Sequence, residues 1–155
     1  MELNKDNFYE TIDKYFIPLD GKVDKLAKEK FEKVFGCSEA ANNSNIVYIW
    51  RCEKNIKRLK GESNIVYIGQ TKQSFKRRYL KHAGIIANDE ANKLKYEEII
   101  KNYGPIQILV CDFSKFGDDL LKSEGQLLWW YFQNHCEYPP SNYTKTKIRT
   151  SVKYI

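Results

Sequence analysis

One hexapeptide, Ser-Asn-Ile-Val-Tyr-Ile, occurs twice in the chain, at Ser44–Ile49 and again at Ser63–Ile68. Each copy is a short apolar run rich in β-branched and aromatic residues, the pattern of a buried strand. The loop between them is basic and ends on a glycine, with Lys54, Lys57, Arg58, Lys60 and Gly61. Six residues repeated once do not make a repeat architecture. They read instead as two neighbouring strands at the centre of a small sheet. Each copy also carries a tyrosine at the same place, and a buried phenol requires a hydrogen-bond partner.

Gly69 breaks the second run, and from about Lys72 the pattern turns helical and basic. Phe75, Tyr79, Ala83 and Ile86 fall on one stripe at 100° per residue. Arg78 and His82, one turn apart, sit at its edge and lean toward whatever the helix packs on. Lys76, Arg77 and Lys81 point more outward. Asp89–Asn102 forms another helix, with Leu94, Ile99 and Ile100 as core positions and Gly104-Pro105 as its stop. Ile106, Ile108 and Val110 then alternate with Gln107, Leu109 and Cys111, which predicts a third strand.

A last long helix is expected from about Phe116 to His135. Leu120, Leu127 and Tyr131 share one face, and Glu124 falls in its middle. A carboxylate there needs a cation, whether an arginine, a lysine or a metal, or its pKa rises. Trp129 projects to the polar side with Lys122 and Gln126. Pro139 and Pro140 exclude helix beyond His135, and the tail adds Lys145, Lys147, Arg149 and Lys153.

Residues 5 to 36 read as two helices. Phe8, Ile12 and Tyr15 or Phe16 mark the first, stopped by Pro18; Val23, Ala27, Phe31 and Val34 mark the second, closed by Gly36. Five lysines (Lys22, Lys25, Lys28, Lys30, Lys33) cover the second helix's other faces. They form either a solvated face on a helix pair packed against the main domain or an arm that contacts phosphates. At 155 residues, with 42% hydrophobic content, the chain is long enough for one substantial core. The expected fold class is therefore α/β (α+β): a small, mostly antiparallel three-stranded sheet flanked by helices, with residues 1–40 as an N-terminal helical extension.

A net charge of +6 suits an acidic partner such as nucleic acid, though it also serves solubility alone. No apolar run approaches the roughly 20 residues of a membrane span, and no signal-peptide pattern opens the chain. Cys37, Cys52, Cys111 and Cys136 show no metal-binding spacing. Reduced thiols in a cytoplasmic protein are the expectation.

The triplet Ile46-Val47-Tyr48, followed nineteen residues later by Tyr67-Ile68-Gly69, resembles the paired triplets of the GIY-YIG nuclease signature. Arg78, His82, Glu124 and Asn142 follow in the family's order. The resemblance covers about Asn45 to Asn142, and residues 41–155 would be the nuclease domain. Ile46 departs from the family's glycine, but the chemistry requires the tyrosine rather than the glycine. The resemblance implies a metal-dependent endonuclease hydrolysing phosphodiester bonds in DNA. In that role Tyr48 takes a proton from the attacking water and passes it to His82, while Tyr67 orients water or phosphate. Arg78 holds the scissile phosphate, Glu124 holds one Mg²⁺ or Mn²⁺, and Asn142 supports the site through hydrogen bonds. Lys72, Lys76, Arg77, Lys81 and Arg149 would contact phosphates. With no separate recognition domain after the core, a compact restriction- or phage-type enzyme is expected, as a monomer or homodimer. The alternative is a catalytically silent nucleic-acid-binding module that uses the same basic helix.

Overall fold

The two hexapeptide copies lie side by side at the centre of the molecule. The computed structural model describes residues 2–142, so Arg149 and the other basic tail residues lie outside the described residues. Strands β2 (Ile46–Lys57) and β3 (Glu62–Thr71) form an antiparallel hairpin. Gly61 turns its tip at φ 65°, a left-handed conformation that glycine adopts without steric cost. β4 (Gln107–Asp112) pairs antiparallel with the other side of β2. The three expected strands are present, and a fourth joins them. β1, only Ile17–Pro18, pairs antiparallel with β4, giving the order β1-β4-β2-β3. Pro18 sits on the sheet's edge, where a missing N–H is tolerated.

Helices cover both faces, which is why β2 is buried at five successive positions from Ile46 to Trp50 instead of alternating. Val47, Ile49, Ile65, Ile68 and Leu109 face α1 (Phe8–Tyr15) and α7 (Leu120–His135), packing on Phe8, Ile12, Leu127 and Tyr131. Ile46, Tyr48, Trp50, Ile108 and Val110 face the other layer. That layer holds α2 (Lys28–Phe35), the short α3 (Ser38–Ala41), α4 (Phe75–Tyr79), α5 (Ala83–Asn88) and α6 (Glu90–Tyr103). The first 36 residues thus supply a helix to each face and a strand to one edge.

Three sequence expectations are corrected. The helix expected from Lys72 begins at Phe75, capped by the Ser74 hydroxyl, which accepts from the Arg77 N–H. After Tyr79 it tightens into a 3₁₀ turn, Leu80–His82, before α5 resumes, so Arg78 and His82 do not stack on one α-helical turn. The second N-terminal helix begins at Lys28; Val23 is extended and exchanges backbone hydrogen bonds of 2.9 Å with Ile106. Leu94 is 72% exposed, because Tyr96 and Ile99 take the inner stripe of α6, with Ile100 and Tyr103 packed beside them. All four cysteines are free thiols. Among the described residues, no helix is long and apolar enough to cross a membrane.

Candidate active site

Register decides what each tyrosine meets. Tyr48 on β2 stands opposite Gly69, and Tyr67 on β3 stands opposite Trp50. The Tyr48 ring lies across the neighbouring strand so closely that a Cβ at Gly69 would come within 2.5 Å of its Cζ. Only glycine leaves that space. Ile46, where the other triplet would carry its glycine, is an ordinary core residue. Tyr67 is the diagonal neighbour of Tyr48, and their rings stack with centroids 5.9 Å apart.

α4 adds a third phenol. Phe75 meets the Tyr48 ring edge-on at 5.2 Å, and the Tyr79 hydroxyl hydrogen-bonds the Tyr48 hydroxyl. Tyr79 reads from sequence as one more position of the helix's apolar stripe. Its place beside Arg78, on the stripe facing the tyrosine strands, is the signal for something more. The Arg78 guanidinium lies over the Tyr79 ring, 5.1 Å from its centre. Arg78 is exposed, not turned into the packing as expected, and it makes no ion pair among the described residues.

Glu124 reaches the same place from α7. It is half-buried, and among the described residues it has neither a hydrogen bond nor an ion pair. Burial pushes its carboxyl above the usual range. Tyr67 and Tyr79 are both raised, mainly by burial; the Glu124 charge adds to this and the Arg78 charge opposes it. Tyr48, the deepest of the three, is pushed well up by burial and then by its two phenol neighbours. The structure therefore gathers Tyr48, Tyr67, Tyr79, Arg78 and Glu124 around one spot.

His82 and Asn142 stand differently. His82, partly buried in the 3₁₀ turn, makes no hydrogen bond or ring contact among the described residues; the Tyr48 hydroxyl goes to Tyr79 instead. Asn142 grips the backbone beside Tyr67. Its Oδ1 accepts from the Ile68 N–H and its Nδ2 donates to the Ile68 carbonyl, both at 2.8 Å, while the Ser141 N–H donates to the Val66 carbonyl. Among the described residues β3 is an edge strand of the sheet, and these contacts satisfy backbone groups on its outer side. The register steps from Trp50–Tyr67 to Arg51–Ile65 and leaves Val66 unpaired, a bulge that re-aims the strand next to the site.

Lys76, Arg77 and Lys81 line one surface depression with Ser74 and Leu80, and Lys72 is exposed just before α4. Among the described residues, no three histidine, cysteine, aspartate or glutamate side chains come together as a metal cage. The arrangement can bind an anion at Arg78, attract a cation to Glu124, and exchange protons among phenols. No family model matches the chain, and no curated protein or solved structure matches it.

Proposed function

We propose that the chain is a GIY-YIG-type, metal-dependent endonuclease acting on phosphodiester bonds in DNA. The observation that carries this reading is Glu124, a half-buried carboxylate without a cation partner among the described residues, whose charge reaches the phenols of Tyr67 and Tyr79. A structural carboxylate on a helix's inner side ordinarily has a base to neutralise it.

The donor set fits Mg²⁺ or Mn²⁺ and not a zinc cage. Magnesium keeps several waters and takes one or two carboxylates together with phosphate oxygens. Glu124 is the residue that would hold it. The bound ion would supply positive charge at the leaving oxygen of the phosphodiester.

The chain's own groups do the rest. Arg78 presents a fork of N–H donors, free of any competing carboxylate among the described residues, to the phosphate's non-bridging oxygens. Tyr67, half-buried and held by the Asn142 clamp, orients water or phosphate. Tyr48 takes the proton of the attacking water as its own hydroxyl proton passes to Tyr79, which is hydrogen-bonded to it and less buried and releases its proton to solvent in place of His82. A phenol raised by burial is a base near neutral pH only with positive charge close by. The same raised phenols favour the second reading, a silent nucleic-acid-binding module.

Supercoiled plasmid separates the two. The nuclease gives nicked or linear DNA with Mg²⁺ and none without it. Glu124→Gln should still bind DNA, but it should neither cut nor take up the metal in calorimetry. A variant that cuts like wild type, or binds Mg²⁺ like wild type, removes the metal assignment.

A further inference from the structure

The other side of α7 carries a feature that hydrolysis does not use. Trp129 lies about 140° around the helix from Glu124 and about 7.5 Å further along it. Its side chain is 52% exposed. The ring stacks on Phe132, centroids 5.9 Å apart and planes 8° from parallel. Phe132 in turn meets Tyr138, itself 50% exposed, at 5.2 Å. Three rings thus make one ridge from the helix into the segment beyond it.

The ridge is held in place. Cys136, at φ 58°, reverses the chain at the helix end and brings Tyr138 back alongside. The β2–β3 hairpin tip pins that segment from the side. Arg58 pairs with Glu137 at 2.7 Å and donates from Nη2 to the Tyr138 carbonyl at 2.9 Å. The Leu59 N–H donates to Glu137, and the Lys60 N–H donates to the His135 carbonyl. The same tip exposes Lys57 and Lys60, neither in an ion pair among the described residues. Glu137, beside the ridge, is neutralised by Arg58.

Fixed, exposed rings beside a basic hairpin tip suit a ligand that is both planar and anionic. We propose that the Trp129–Phe132–Tyr138 ridge is a stacking platform for the bases of a single-stranded nucleic acid, with Lys57 and Lys60 taking its phosphates. Aromatic side chains stack on any base, and a basic border tracks the backbone. A protein partner would use such rings too, but it would have to bury or pair the two lysines. The inference stands whether or not the chain cuts DNA, because it concerns binding on a separate face.

The test uses the full chain with oligo(dT) and oligo(U) of about twelve nucleotides, within the range a single-strand site spans. Trp50 and Trp130 are buried, so quenching of tryptophan fluorescence by the oligonucleotides reports Trp129. Quenching is expected, and its absence overturns the proposal. In anisotropy titrations, Trp129→Ala should weaken binding roughly 5- to 150-fold, and adding Tyr138→Ala should weaken it further. Trp129→Phe, which keeps a ring, should retain most of the affinity. Lys57→Ala with Lys60→Ala should flatten the slope of log affinity against log salt by about 1.4. Preference between the two oligomers distinguishes DNA from RNA. Unchanged affinity in the ring-less variant, with plasmid cutting also unchanged, defeats the proposal without touching the nuclease reading. If sedimentation instead shows self-association that the ring-less variant abolishes, the ridge is a contact between copies and the proposal falls.

Discussion

The same six residues, Ser-Asn-Ile-Val-Tyr-Ile, do different work in β2 and β3. In β2 the tyrosine, Tyr48, is in the sheet's interior with a strand on each side, and its hydroxyl meets other phenols. In β3 the tyrosine, Tyr67, lies on the edge strand, half-buried, within the influence of Glu124 and Arg78. The serines diverge as well. Ser44 precedes β2 and is exposed, whereas Ser63 is buried and hydrogen-bonded to Tyr9. Local sequence sets strand and side-chain type; position in the sheet sets the chemistry. A central strand fixes its tyrosine between two neighbours and against other phenols, and an edge strand gives it access to charge.

The largest difference between the copies should appear in activity. Tyr48→Phe keeps the ring and the Gly69 contact and loses the hydroxyl. Plasmid cutting should fall by about 10²- to 10⁴-fold, with DNA binding intact and stability lower by about 1 kcal/mol. Tyr67→Phe should slow cutting by less, since its hydroxyl orients and does not accept the proton. Equal and small losses in steady-state cutting would make both tyrosines simple core residues.

Next in size is the contact that only the β2 copy makes. Gly69→Ala places a methyl 2.5 Å from the Tyr48 Cζ. Overpacking of this kind costs about 1–3 kcal/mol, a melting temperature lower by about 3–10 °C in a domain of this length. In a Tyr48→Ala background the same change should be nearly free. A cycle of the two substitutions that shows simple additivity would mean the ring is not held against Gly69.

Much of this was legible beforehand. The hexapeptide marked two adjacent strands, and the helical wheel placed Glu124 on the inner side of α7. Asp89 and Gly104 bracketed α6, and both act as its caps. Other features had no local mark. Ile17–Pro18 becomes a strand only because β4 offers a free edge, and two residues carry no periodicity. No glycine or proline signals the 3₁₀ turn at Leu80–His82, and the stripe from Phe75 to Ala83 runs straight through it. Leu94 lost its expected core place to an aromatic two residues on. Register was hidden most completely. Two identical copies cannot say which tyrosine faces the glycine, because hairpin length and the bulge at Val66 decide it.

The serines give a smaller contrast. Ser63 Oγ lies 2.6 Å from the Tyr9 hydroxyl and accepts from the Ile65 N–H at 3.1 Å. Tyr9 also bonds His135 Nε2, whose ring Nδ1 lies 2.8 Å from the Lys60 carbonyl. The carbonyl only accepts, so the proton is on Nδ1, Tyr9 donates to Nε2, and Ser63 donates to Tyr9. Ser63→Ala strips that chain of a member and should cost about 1–3 kcal/mol. Ser44→Ala should stay within about 0.5 kcal/mol. Chemical denaturation of both variants measures the difference, and similar midpoints would dissolve it.

The smallest effect expected has an unusual sign. The Glu124 carboxyl is raised by burial above the usual 4.5. The folded protein therefore holds this proton at pH values where the unfolded chain has already released it. Stability from this group is full below about 4.5 and declines as pH rises through the folded-state value. At neutral pH, without metal, Glu124 therefore subtracts from stability. Glu124→Gln should melt slightly above wild type at pH 7, and the advantage should shrink to nothing by about pH 4. His135 acts in the opposite direction, since burial lowers it below 6.5 and its share is lost as pH falls through the folded-state value. It is common to both proteins and cancels in the difference. Mg²⁺ at neutral pH should stabilise wild type but not the variant, because a ligand that binds only the folded state raises its melting point. Melting curves across pH, with and without the ion, decide the matter. If the variant melts at or below wild type at pH 7 without metal, Glu124 has a structural partner, and the edge strand's tyrosine has no special electrostatic setting.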